Sequence, residues 1–299
     1  MIKYYFQFLF ASKNEHSIHS PFVFELYTKI IQAKTNFSVF EEIENLRKKL
    51  YKNRTIIEIT DFGAGSRIYK TNQREIRQIA KSAEKNPKFG KLLFRLIKYF
   101  EPTTIFDLGT SLGITTIYES KAYDSAKIFT FEGCPATAAI AKQNFEALAC
   151  ENIEIIVGNI DKTLPQKLEE IKQLDFAFFD ANHRFEPTVN YFEQCLEKVT
   201  EKSIFVFDDI HWSEEMHDAW RVIKNHPDVM ISIDLFYVGL IFFRKNQPKQ
   251  EFVLRFKNCL DTAFWYSNNI SKPIFQKCFS IPSPQYPPNG INEKFYHRS

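Results

Sequence analysis

Ile105-Phe106-Asp107-Leu108-Gly109-Thr110-Ser111-Leu112-Gly113-Ile114 is the stretch from which the rest of the chain can be read. An apolar, strand-like run over 104–108 carries an acid near its end, turns through glycine and enters a helical pattern at Gly113. Such a turn brings backbone N–H groups and a helix N-terminus to the carboxyl edge of a sheet, where α/β folds bind ligands. A dinucleotide fingerprint would read G-x-G-x-x-G. Ser111 and Ile114 stand at its third and sixth positions, so a pyrophosphate-binding reading is weak.

Downstream, apolar runs at 127–132, 153–157, 174–180 and 202–208 alternate with helical patterns at 113–122, 135–149, 163–172, 186–199 and 213–225. Near-continuous apolar runs between helices predict βαβ units and a parallel sheet covered on both faces. After residue 225 two runs follow directly, 229–235 and 237–244. They predict an antiparallel hairpin with Gly239 as a candidate bulge, and Phe252–Phe256 suggests a last short strand.

Residues 1–100 read as mainly helical. Ser20-Pro21 marks a capped helix start, 40–52 is a charged amphipathic helix, and 72–84 and 87–100 carry apolar residues at helical spacing. Asp61-Phe-Gly63-Ala-Gly65-Ser-Arg67 reads as a turn, and the proline-punctuated 257–299 as an irregular tail. The expected division is therefore a helical cap at 1–84, a ligand-binding α/β domain at 85–256 and a tail at 257–299.

Composition narrows the classes. The chain has 299 residues, 44% hydrophobic and 25% charged, and a net charge of +3, with no basic stripe of the kind that reads nucleic acid. Five scattered cysteines with no C-x-x-C pair predict reduced thiols in a cytoplasmic protein. No apolar run reaches the roughly 18 residues of a membrane span. His16 and His19 are most simply polar residues ahead of a helix cap, and Phe6, Phe8 and Phe10 are most simply core.

The strand ends carry the chemistry. Glu132 ends the run 25 residues beyond Asp107, where an acid can accept hydrogen bonds from both ribose hydroxyls of a nucleoside. Gly158-Asn159-Ile160-Asp161 follows the third run. Asp180 ends the fourth, followed by Asn182-His183, and Asp208-Asp209 end the fifth. Three carboxylates at one sheet edge would raise one another's pKa unless a hard divalent cation joined them, and Mg²⁺ is typical.

Asp107-x-Gly109-x-x-x-Gly113 resembles motif I of the class I S-adenosylmethionine-dependent methyltransferases. The resemblance covers roughly 85–256 and implies a Rossmann-like α/β fold: a mostly parallel sheet of seven strands with an antiparallel last strand. It implies a cofactor site at Asp107, Gly109, Thr110, Ser111, Gly113 and Glu132, with Asn159 and Asp161 at the adenine. The acidic residues further resemble the metal-dependent O-methyltransferases of the catechol and caffeoyl-CoA type, which implies Asp180, Asp208 and Asp209 as metal ligands. Those enzymes have a lysine base three residues beyond the first ligand. Here that position is His183, a group able to take a proton near neutral pH, and the Asp-x-x-His pattern resembles another bacterial branch of the superfamily. The N-terminal His19-Ser-Pro-Phe22 resembles the opening of uncharacterised bacterial relatives. The expected function is methyl transfer from S-adenosylmethionine to a hydroxyl of a small molecule, with metal assistance; a homodimer is left open. Alternatives are a metal-independent methyltransferase, a non-catalytic nucleoside-binding module, or an NAD-dependent oxidoreductase.

Overall fold

The computed structural model describes residues 1–60, 72–83, 86–245 and 247–256. The 61–67 turn and the 257–299 tail expected from sequence lie outside the described residues.

The domain core follows the alternation of the sequence. Strands β3 (Thr104–Leu108), β4 (Lys127–Glu132), β5 (Ile153–Val157), β6 (Phe176–Phe179) and β7 (Ile204–Asp208) alternate with helices α6 (Ile114–Ser120), α7 (Pro135–Ala147), α8 (Ile160–Glu170) and α9 (Phe185–Leu196). Helix α10 (Glu214–Asn225) leads to β8 (Ile231–Asp234), β9 (Val238–Phe242) and β10 (Gln250–Val253). These form one sheet of eight strands in the order β10-β8-β9-β7-β6-β3-β4-β5, parallel except for β9.

The sheet departs from expectation at its edge. The antiparallel strand is the penultimate one, and β10 adds a strand alongside β8 in parallel register. Gly239 makes no bulge: it pairs in continuous register with Phe207 and Asp234. Its lack of a side chain serves packing, since a Cβ there would lie 2.6 Å from the Trp220 ring.

One face of the sheet buries Phe106, Phe131, Phe179 and Phe207 against Phe192 and Trp220 of the covering helices. Phe179 and Phe207 stack at 4.3 Å between ring centroids. Aromatic burial of this kind contributes about 0.5–1.5 kcal/mol per ring pair beyond area alone.

The N-terminal segment holds α1 (Ile2–Ala11), a 3₁₀ turn at Glu15–Ser17, α2 (Pro21–Leu26), a π-helical turn at Tyr27–Ile31 and α3 (Val39–Leu50). Ser20 caps α2, accepting from the Val23 N–H, with Pro21 at the first helical position, as the sequence indicated. The stretch 72–84 is only partly helical. β1 (Ile56–Glu58) pairs antiparallel with β2 (Gln73–Glu75), and α4 (Ile76–Ala83) begins after it. Helix α5 (Pro87–Phe100) is capped by Asn86, whose side chain accepts from the Lys88 N–H. Phe40 packs edge-on against Phe94 at 4.9 Å, and buried Arg95 donates to the carbonyl of Ile30 at 2.7 Å. The N-terminal helices thus share a core with α5.

Candidate functional site

Parallel register puts five strand ends in one row. Leu108 pairs with Phe131 and Phe179, Glu132 with Val157, and Phe179 with Phe207. Gly109, Glu132, Gly158, Asp180 and Asp208 therefore emerge together at the carboxyl edge.

The first loop is held tightly. Gly109 has φ +119°, and a Cβ there would lie 2.6 Å from the Asp180 carbonyl oxygen, so only glycine fits. Gly113, at φ +82°, caps α6. Glu132 organises the turn: Oε2 accepts from the Ser111 N–H and Oε1 from the Cys134 N–H, both at 2.8 Å. Burial raises its pKa, and these backbone donors partly offset the rise. Glu132 is thus locked at the end of β4, where the sequence placed the ribose-binding acid.

Asp107 and Thr110 lie deeper than a ligand-facing role suggests. Asp107 is fully buried, its Oδ2 accepting from the hydroxyls of Thr116 (2.5 Å) and Thr130 (2.8 Å). The Thr110 hydroxyl is 2.6 Å from that of Thr130, which extends the chain of hydroxyls to the loop. Burial raises the Asp107 pKa to about 6, and the neighbouring Asp180 and Glu132 add to the rise. Among the described residues, Asp107 Oδ1 and both oxygens of buried Glu119 have no hydrogen-bond partner.

Asn159 caps α8, its side-chain oxygen accepting from the Asp161 N–H at 2.9 Å. Asp161 Oδ1 accepts from the Tyr191 hydroxyl at 2.6 Å, and Asn182 Nδ2 donates to that hydroxyl at 3.3 Å. Tyr191 thereby ties the loop after β5 to the loop after β6. Sequence reasoning missed Tyr191, Thr116, Thr130 and Glu119. Thr130 was visible as the one hydroxyl in an apolar run, and Thr116 and Glu119 as polar residues three apart on α6.

Past β6 the backbone turns left-handed twice, at Asn182 (φ 67°) and His183 (φ 42°). A left-handed histidine is uncommon, and the turn swings the imidazole back toward the strand end. His183 Nε2 lies 3.4 Å from Asp180 Oδ1. Asp208 is buried and Asp209 is left-handed at φ 53°. Among the described residues, no three His, Cys, Asp or Glu side chains are gathered so as to hold a metal ion. As arranged here, then, Asp180, Asp208 and Asp209 do not fit one. His16 and His19 are both exposed.

Among the described residues, no helix is long and apolar enough to cross a membrane. Residues 106–210 match the family model of a methyltransferase domain. Over 128 residues the chain is 30% identical to a catechol O-methyltransferase of Niastella koreensis, covering 42% of this chain and 57% of that protein. The chain thus matches little more than half the length of that relative. In structure it is similar to a Klebsiella pneumoniae protein described as an O-methyltransferase: TM-score 0.52, 12% identity, 71% of this chain and 92% of that one. It is also similar to the O-methyltransferase TomG of Streptomyces achromogenes, solved with S-adenosylmethionine: TM-score 0.50, 14% identity, 74% and 95% covered. At these identities the two structures establish the fold. The chain thus carries a methyltransferase domain over residues 106–210, set in an α/β fold similar to those of the two solved structures.

Proposed function

We propose that the protein transfers the methyl group of S-adenosylmethionine to a hydroxyl of a small molecule. The observation that carries this reading is the row of Gly109, Glu132 and Gly158 at the ends of adjacent parallel strands, with Glu132 locked by the Ser111 and Cys134 N–H groups. These residues fit a nucleoside. Glu132, with lone pairs still available, would accept from ribose hydroxyls. The Asn159 amide, its oxygen engaged as a cap, would offer its N–H₂ to the adenine edge, with Asp161 beside it. The bound cofactor supplies an electrophilic methyl group on a sulfonium.

The acceptor hydroxyl must lose its proton as the O–C bond forms and the C–S bond breaks. His183, whose Nε2 lies 3.4 Å from Asp180 Oδ1, would take that proton. Much of the acceleration would come from holding the oxygen in line with the methyl carbon. Divalent-metal assistance rests only on three carboxylates at neighbouring strand ends, and turnover with Mg²⁺ against turnover in EDTA decides it.

The name of the Niastella relative makes catechol the first acceptor to assay. The expected result is a methyl ether formed with wild-type protein and a loss of about 10²–10⁴-fold in turnover for His183→Ala. Cofactor that binds without transfer to any hydroxylated acceptor would favour a nucleoside-binding module instead.

A further inference from the structure

A second constellation lies on the other half of the sheet. His211 Nε2 is 2.7 Å from Asp234 Oδ2, and His211 Nδ1 is 2.9 Å from His217 Nδ1. Asp234 Oδ1 accepts from the Phe236 N–H, so the carboxylate is fixed. This chain has a direction. With His211 assigned as the Nε2–H tautomer, it donates to the carboxylate, its Nδ1 accepts from the Nδ1–H of His217, and a lone pair is left on His217 Nε2. Burial lowers the His217 pKa, which favours the neutral ring.

These groups line a cavity of about 250 Å³ between α1 and α10, over β8 and β10. Its walls are aromatic: Tyr4 stacks on His217 at 4.0 Å between centroids, and Phe8 and Trp220 lie alongside. Trp220 is 2% exposed, and its indole N–H has no acceptor among the described residues. Trp220 and His217 are three apart on α10, hence neighbours on one helix face. The charged side chains around the cavity are already engaged: Asp234 accepts from His211 and from the Phe236 N–H, Lys224 pairs with Glu251, and Arg221 with Asp218 at 3.4 Å. A charged ligand would have to break one of these pairs, whereas a neutral one would not. The volume is below the roughly 300–1,000 Å³ of sites that take drug-sized ligands, which suits a single ring.

We propose that this cavity binds a small neutral aromatic hydroxyl compound, its O–H donating to His217 Nε2 and its ring packing against Tyr4, Phe8 and Trp220. The site is distinct from the methyl-donor edge. Strands β9, β7 and β6 separate β8 from β3, roughly 19 Å at about 4.8 Å per strand. It stands whether or not the methyl-transfer reading does.

The test is a titration of full-length, ¹⁵N-labelled protein with phenol, and separately with anisole, which keeps the ring but has no hydroxyl proton. The chain has three tryptophans, Trp212, Trp220 and Trp265, so the Trp220 indole signal is assigned by its absence in Trp220→Phe. Phenol is expected to shift that signal saturably. Anisole should bind at least about tenfold more weakly, and His217→Phe should weaken phenol by a similar factor. Tyr4→Ala, at a partly exposed position, is expected to weaken phenol as well and serves if His217→Phe does not fold. A Trp220 signal that never saturates, equal binding of anisole, or phenol binding unchanged in the variants overturns the proposal. S-adenosylmethionine affinity measured on the same samples reports on the other site separately.

Discussion

At the scale of single residues, the acids beneath the glycine turn set how stability depends on pH. Asp107 is fully buried with its pKa raised to about 6, and burial, together with Asp107 and Asp180, holds that of Glu119 well above the usual carboxylate range. A raised carboxyl pKa means that the native state binds more protons than the unfolded chain. Stability from these groups is therefore fullest below about pH 4 and falls as pH rises through about 6 and beyond. Glu119→Gln removes one ionisation and leaves an amide able to donate toward Asp107. It is expected to gain about 1–3 kcal/mol over wild type at pH 7.5 and little at pH 4.5, measured by urea unfolding. Parallel pH profiles for the two proteins would contradict this. The acids at 107, 132, 161 and 180 were legible because each follows an apolar run. The depth of Asp107 was not, because its partners Thr116 and Thr130 come from a helix and a neighbouring strand that only the fold brings together.

At the scale of elements, the loops are held by few contacts, so single changes there are diagnostic. Gly109→Ala would have to adopt φ near +119° with its Cβ against the Asp180 carbonyl. A loss of more than about 1–3 kcal/mol is expected, seen as a fall in Tm, together with weakened cofactor binding. Tyr191→Phe deletes the hydroxyl between Asp161 and Asn182, and should cost about 1 kcal/mol while leaving the circular dichroism spectrum of the sheet intact. No change in unfolding midpoint would mean that this bridge does not hold the two loops. The strands of the parallel core were legible as apolar runs. Gln73–Glu75 was not, because three polar residues form a strand only through pairing with Ile56–Glu58. The position of β10 was equally hidden, since its place beside β8 depends on an edge left open by the hairpin.

At the scale of the whole molecule, the N-terminal helices and the sheet domain bear on one another. Phe40 packs on Phe94 and Tyr118, the Tyr118 hydroxyl donates to Glu44 at 2.8 Å, and Arg95 donates to carbonyls of the N-terminal segment. Deleting residues 1–84 would strip these partners from α5 and α6. The truncated protein is expected to lose cooperative thermal unfolding, and a two-state transition near the wild-type Tm would show instead that 85–256 folds alone. The central claim, that the carboxyl edge of β3, β4 and β5 is a pocket for S-adenosylmethionine, is tested most directly by calorimetric titration of that cofactor into wild-type protein and into Glu132→Ala. Micromolar binding to wild type and at least about a tenfold loss in the variant are expected, the size of hydrogen bonds to a charged acceptor. Absence of binding to the wild type, or equal affinity in the two proteins, would contradict it.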